Sequence, residues 1–113
     1  MNATASYKEM LLKQLKDPEL AAAYLNEHFQ YEGPKAKKLL LNAFKSVLEA
    51  QGFTRIAKKT GISRRALYKA FAPDGNPTLQ TLHTLLEAIG VSLEFTSVEK
   101  AKKKYKQKRL SAA

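Results

Sequence analysis

The stretch that most restricts the fold of this chain is FTRIAKKTGISRRALYKAF, residues 53–71. It predicts two short helices joined by a tight turn, because Gly61 can adopt the positive φ of such a turn without a steric cost. A steep crossing of two helices also needs a small residue on the first helix, and Ala57 lies four positions before that glycine. An apolar plug, a helix cap and two buried contacts complete the pattern, and they are supplied in turn by Ile62, Ser63, Ile56 and Leu67. This joint spacing is typical of a helix-turn-helix.

The second helix of this pair is predicted to have two chemically different faces. At about 100° per residue, the side that packs would consist of Ala66, Leu67, Ala70 and Phe71. The other side would consist of Ala72 and four larger residues, Arg64, Arg65, Tyr68 and Lys69. Cations in a first helical turn oppose the helix dipole by about 0.3–1 kcal/mol each, unless an anion binds there. Since arginine contacts guanine edges in the major groove more often than any other base feature, we predict that these four residues read DNA bases.

The charged residues are grouped in blocks along the sequence, and the basic blocks indicate a polyanionic partner. The formal net charge is +10, and residues 34–60 carry seven Lys or Arg against one acid, as do residues 99–113. Residues 1–33, in contrast, carry three Lys against five acids. Charge alone leaves plain solvation open, but together with the motif it favours duplex DNA. Contacts to the DNA backbone are predicted for Thr54, Lys58, Lys59, Ser63, Asn76 and Thr78.

The whole chain is predicted to form an all-α domain of five to six helices with one short C-terminal strand. Its three parts are an N-terminal helical segment, a helix-turn-helix DNA-binding domain and a basic tail, spanning residues 1–33, 34–98 and 99–113. Ser6 is predicted to cap the first helix, and Asp17, which precedes Pro18, to cap the second. The tail is interpreted either as a disordered phosphate-binding arm or as the last turns of a solvated helix.

Two longer helices are predicted on either side of the motif. The first, from residue 35 to residue 51, has apolar residues at intervals of three and four, which are Leu39, Leu40, Ala43, Phe44, Val47 and Leu48. The second is predicted to begin after a Thr78 cap and to bury Leu79, Leu82, Leu85, Leu86 and Ile89. Gly52 and Gly90 are placed to end these helices.

The residues after Gly90 change from a helical to an alternating period. In VSLEFTSV the apolar residues Val91, Leu93 and Phe95 alternate with polar ones, which predicts a half-buried strand. A single strand has unpaired edges, so its natural partner is the same strand of a second copy. We therefore predict a homodimer that reads an inverted repeat, with half-sites about 34 Å apart.

Other functional classes lack their sequence signatures. The chain has no cysteine, which excludes disulfides, thiol nucleophiles and thiolate metal sites. His28 and His83 are far apart in the sequence, and a histidine on a helix face is usually structural or solvated, so we expect no metal and no other cofactor. No phosphate-binding loop, nucleophile elbow or pair of catalytic carboxylates occurs, so an enzyme is not expected. No apolar run approaches the roughly 18 residues of a membrane span, and no signal peptide is evident, so we expect a cytoplasmic protein without membrane contact.

Several motifs occur here in the order found in one family. TGISR spans Thr60–Arg64, Leu67-Tyr68 and the GNP of Gly75–Pro77 follow, and a leucine-rich helix and the alternating segment come next. This run closely resembles HigA-like addiction-module antidote proteins, which are helix-turn-helix antitoxins related to phage Cro and C1 repressors. The resemblance covers roughly residues 17–96 and implies a lambda-repressor-like arrangement of helices.

The resemblance implies a function with two partners. Such an antitoxin binds a RelE/HigB-like toxin, an mRNA-cleaving ribonuclease, and represses the operon that encodes both proteins. The chain departs from the family pattern in its longer, more basic tail and in Arg65, which stands where many relatives have an acidic residue. Both departures favour DNA contact. The alternatives are a stand-alone phage or chromosomal repressor without a toxin, a pure protein-interaction module, and an RNA binder, although the last would need exposed aromatics clustered on a sheet.

Overall fold

A computed structural model describes the backbone of residues 3–105 and 110–111 and the side chains of residues 6–103. This part of the chain is mostly helical, as predicted, but it has seven helices where five to six were predicted. Its elements are α1 (Ala3–Gln14), α2 (Pro18–Phe29), β1 (Tyr31–Glu32), α3 (Ala36–Gln51), α4 (Phe53–Thr60), α5 (Arg64–Ala70), α6 (Leu79–Ala88), α7 (Val98–Tyr105) and β2 (Leu110–Ser111). None of the helices in this described part is both long and apolar enough to cross a membrane.

Helix starts follow the predicted caps in most places. The side chain of Asp17 accepts a hydrogen bond of 2.9 Å from the Glu19 N–H, and Pro18 occupies the first helical position of α2. Thr78 caps α6 in the same way, accepting from the Thr81 N–H at 3.0 Å. The predicted Ser6 cap is wrong, because α1 already begins at Ala3 and Ser6 lies inside the helix.

A single hydrophobic core extends from Leu15, directly after α1, to Ile89, directly after α6. Its buried members are Leu15, Ala21, Leu25, Leu41, Ala43, Val47, Leu48, Phe53, Ile56, Leu67, Phe71, Leu85, Leu86 and Ile89. Helix α3 lies at the centre and contacts α1, α2 and α4. The N-terminal helices therefore share their core with the helices of residues 34–98.

Two predicted apolar faces differ in detail from the observed core. On α3 the fully buried leucines are Leu41 and Leu48, whereas Leu39 and Leu40 are half-buried. On α6, Leu79 is 64% exposed, although it was predicted to lie in the core. Both differences arise because the width of a buried face depends on how many neighbours surround a helix, which periodicity does not encode.

Residues 91–97, predicted to form the dimer strand, have no regular secondary structure in the single chain. Val91 is half-buried, whereas Leu93 is 46% and Phe95 is 91% exposed. A strand needs a hydrogen-bonded neighbour, and none of the described segments is paired with these residues. Strand pairing across a dimer stays a prediction.

The described end of the chain agrees with one of the two interpretations of the tail and adds a short strand pair. Residues Val98–Tyr105 form α7, so this part is a solvated helix, and residues 106–109 lie outside the described part. Leu110–Ser111 then pairs in parallel with Tyr31–Glu32 in a short ladder that the sequence did not predict. Two residues per strand are too few for a periodic pattern to be recognised.

Candidate nucleic-acid interface

Helices α4 and α5 are joined by a three-residue turn whose chemistry agrees with the sequence pattern. Gly61 has φ 79°, in the left-handed region, and its N–H donates to the Ala57 carbonyl at 2.9 Å. Ser63 has extended backbone angles, and its Oγ accepts from the Ala66 N–H at 3.0 Å, which caps α5. Ile56 and Leu67 are fully buried. Two short helices are thereby held against the same core at a defined turn.

The side of α5 that faces away from the core is basic. Leu67 and Phe71 are buried, and on an ideal helix Arg65 and Lys69 each point about 160° away from Leu67. Both are exposed, and neither side chain has a hydrogen-bond or ion-pair partner among the described residues. Ala66 is also exposed, although it was predicted to pack. A strip of two free cations therefore faces solvent along α5.

Arg64 and Tyr68 lie on the flank of α5 that faces α4, and their side chains are tied to the protein. The guanidinium of Arg64 donates to Thr54 Oγ1 at 3.2 Å and to Tyr68 Oη at 3.3 Å. Its central carbon lies 5.6 Å from the centroid of the Tyr68 ring. That ring stacks on Phe53, with centroids 4.2 Å apart and planes at 14°. The four predicted base readers thus form two pairs, one free and one anchored.

Among the six residues predicted to contact the DNA backbone, most have side-chain hydrogen bonds within the protein. Ser63 and Thr78 act as helix caps, and Thr54 accepts from Arg64. Lys59 Nζ donates to the Ala88 carbonyl at the end of α6, at 2.9 Å. Lys58 is exposed without such a tie among the described residues. A lysine that holds the end of another helix is less available to a phosphate, so of these two Lys58 is the better candidate.

Asn76 has a neighbour that the sequence analysis missed. Lys37 Nζ, from the first turn of α3, lies 3.5 Å from Asn76 Oδ1. The two residues are separated by 39 positions in the chain. The only sequence signal for Lys37 is its place in the basic block of residues 34–60, which does not indicate which lysines approach the turn after α5.

An open cleft of about 460 Å³ lies beside the anchored pair. It is lined by Lys45, Glu49, Gly52, Phe53, Thr54, Arg55, Arg64 and Tyr68. The Glu49 carboxylate is paired with Lys8 Nζ at 3.3 Å, which leaves the remaining charge of the cleft positive. Lys45 and Arg55 were not among the predicted site residues, because their approach to Arg64 depends on how α3 and α4 pack.

The chain is similar to known proteins over most of its length. A model of the family described as "Probable addiction module antidote protein" matches residues 7–97. An uncharacterised protein of Haemophilus influenzae is 32% identical over 93 residues, which are 74% of this chain and 93% of that protein. No solved structure matches the chain significantly. The family match runs from α1 to the segment after α6 and so includes every residue of the α4–α5 surface.

Proposed function

The chain belongs to the family of probable addiction module antidote proteins, and we propose that it is a sequence-specific DNA-binding antitoxin that represses its own operon. An antidote implies a toxin partner of some kind, and proteins of this type are generally not enzymes. The proposal adds to this a DNA-reading role, a twofold dimer and a class of toxin.

One observation carries the DNA-binding proposal, namely the free basic strip on a helix whose direction is fixed by the turn before it. Arg65 and Lys69 point away from the core, and Gly61 and Ser63 set the start of the helix that bears them. In a DNA-binding helix-turn-helix the second helix enters the major groove, where Arg and Lys contact the O6 and N7 acceptors of guanine. We assign that role to α5, with Lys58, Asn76 and Thr78 near the DNA backbone.

The surface charge supports duplex DNA over the other nucleic acids. A helix with two free cations fits the major groove of B-form DNA, which is wide enough to admit it. The described aromatic rings of this site, Phe53 and Tyr68, stack on each other and form no platform for unpaired bases. Basic residues in α3 and α7 would add attraction that does not depend on base sequence.

A dimer is proposed from the segment after α6. Phe95 is 91% exposed, and burying a ring of this kind is worth about 1.5–3 kcal/mol. Pairing of residues 91–95 with the same residues of a second copy would cover the ring and supply the missing strand neighbour. Phe95→Asp should therefore produce monomers by light scattering, whereas Thr96→Asp, at a position of opposite alternation, should leave the dimer intact. An unchanged mass for Phe95→Asp would contradict the strand pairing.

The toxin is proposed to be a RelE/HigB-like ribonuclease, on the resemblance of the TGISR, LY and GNP motifs. An RNA-cleaving partner must attract a polyanion, and the net acidic charge of residues 1–33 would complement a basic surface. Co-expression with the adjacent reading frame tests this, with a stable complex and loss of ribonuclease activity as the expected result. If the chain is instead a stand-alone repressor, a role that the basic residue Arg65 would also suit, it should bind the promoter and form no such complex.

The decisive test of DNA reading compares the chain's own promoter fragment with random duplex of equal length. Arg65→Ala should weaken promoter binding by about 1–3 kcal/mol and random binding far less. Lys58→Ala is the matched control, because loss of a phosphate contact should weaken both by the same factor. Equal losses for Arg65→Ala on both duplexes would remove the base-reading role of this residue.

A further inference from the structure

We propose that the cleft lined by Lys45, Arg55 and Arg64 binds a phosphodiester of the DNA backbone, so that Arg64 contacts phosphate and not a base. The inference rests on the proposed DNA binding and divides the four candidate base readers into two classes. Arg65 and Lys69 would read bases, whereas Arg64 and Tyr68 would hold the backbone in place.

The charge of the cleft is the first step of the argument. Three cationic side chains line it, and its one carboxylate, that of Glu49, is neutralised by Lys8 at 3.3 Å. Lys45 is half-buried and has no hydrogen-bond or ion-pair partner among the described residues. Its ammonium group is therefore available to a phosphate oxygen in the cleft.

The hydrogen-bond donors of the cleft suit an oxyanion. A guanidinium has five N–H groups, and Arg64 donates to Thr54 and Tyr68, which leaves donors for a ligand. Tyr68 Oη accepts from Arg64, so its own hydrogen can be donated onward. The first turn of α4 also lines the cleft, and its N-cap, Gly52, provides no side-chain cap for the N–H groups of that turn. Arg55, a third cation of the lining, donates to Gln51 Oε1 at 2.9 Å, which holds its guanidinium in place.

The direction and rigidity of Arg64 separate it from Arg65. On an ideal helix, Arg64 points about 60° from the buried Leu67, whereas Arg65 points about 160° from it. The ring of Tyr68, 5.6 Å from the guanidinium carbon, is fixed by stacking on Phe53. A phosphate occupies the same place in every DNA sequence, so a rigid contact suits it. A base-reading side chain must instead extend into the groove.

The experiment measures binding to the promoter fragment and to random duplex over a range of salt concentrations. Arg64→Ala and Lys45→Ala should each weaken both complexes by the same factor, on the order of tenfold for a lost hydrogen bond to a charged group. Each should also reduce the slope of log affinity against log salt by about 0.9, since one fewer phosphate is neutralised. Arg65→Ala should weaken the promoter complex selectively.

Two further variants keep the test independent of folding defects. Tyr68→Phe retains the stacked ring but loses the hydroxyl, so it should give a smaller loss that is again equal on both duplexes. Arg64→Lys retains the charge and should preserve most of the salt slope. Ethylation interference gives a direct readout, because a phosphate whose ethylation blocks the wild type should lose its effect in Lys45→Ala.

The outcomes separate this inference from the proposed function. If the wild-type chain does not bind duplex DNA, the proposed function fails and this inference fails with it. If the wild type binds but Arg64→Ala loses affinity for the promoter alone, Arg64 reads a base and only this inference is overturned. An unchanged salt slope in Lys45→Ala, or tighter binding of single-stranded RNA through the same residues, would also overturn it.

Discussion

The two ends of helix α5 each have a glycine in the adjoining turn, but the two glycines are required for different reasons. At the start of α5, Gly61 has φ 79°, and a Cβ built on it would meet nothing within 4 Å. After its end, Gly75 is not among the positive-φ glycines, yet a Cβ there would overlap the carbonyl oxygen of Ala70 and lie 2.6 Å from its carbon. Residue 61 must be glycine because of its left-handed backbone conformation, whereas residue 75 must be glycine because a Cβ has no room there.

The difference shows how a helix of seven residues can hold a defined direction. Its start is set by a local turn and by the Ser63 cap, which depend on neighbouring residues only. Its end is set by close approach of the Gly75 backbone to Ala70, supported by a 2.7 Å hydrogen bond from the Gly75 N–H to the Ala72 carbonyl. If α5 is the DNA-reading helix, both ends contribute to the placement of Arg65 and Lys69.

Gly75→Ala should have the largest effect, because the added methyl group overlaps backbone and not a movable side chain. The expected loss in free energy of unfolding is about 3 kcal/mol, the upper part of the range for overpacking. Urea denaturation followed by circular dichroism measures it. Gly75→Asn should be at least as harmful, since a larger side chain increases the overlap. A loss below that of Gly61→Ala would contradict the steric explanation of this turn.

Gly61→Ala should have an intermediate effect, because only the left-handed backbone conformation disfavours a side chain here. The expected loss is about 1–2 kcal/mol. Gly61→Asn sharpens the comparison, since asparagine tolerates this conformation better than alanine and should recover part of the loss. At residue 75 no such recovery is expected. If Asn and Ala were equal at residue 61 in thermal unfolding, φ would not be the deciding factor there.

Ser63→Ala should have the smallest effect of the three, because it removes one capping hydrogen bond and leaves the turn intact. The expected loss in free energy of unfolding is about 1 kcal/mol, whereas Ser63→Gly should lose only about a few tenths of a kcal/mol. Asp17→Ala, which removes the equivalent cap of α2, is the matched control for stability. The two variants should differ in function, since only the loss of the α5 cap should loosen promoter binding in a gel-shift titration. Equal weakening by both would indicate that the orientation of α5 does not depend on its cap.

Features that depend on a few neighbouring residues could be predicted from the sequence alone. The positive φ of Gly61, the caps provided by Asp17, Ser63 and Thr78, and the burial of Leu67 all followed from residue type and spacing. These features arise from hydrogen bonds and steric limits within one or two turns of chain. The exposed basic side of α5 was predictable for the same reason, since helical periodicity sets it.

Features that join distant parts of the chain depended on packing. Arg64 and Thr54 lie on different helices, Lys59 reaches the end of α6, and Lys45 lines the same cleft as Arg64. Helical spacing turns Arg64 and Arg65 in different directions, but it does not show that Arg64 is held by Thr54 and Tyr68 whereas Arg65 is free. The packing of α4 against α3, α5 and α6 sets those distances. A linear sequence carries the charges and the turns, but the convergence of side chains from three helices exists only once their apolar faces have packed together.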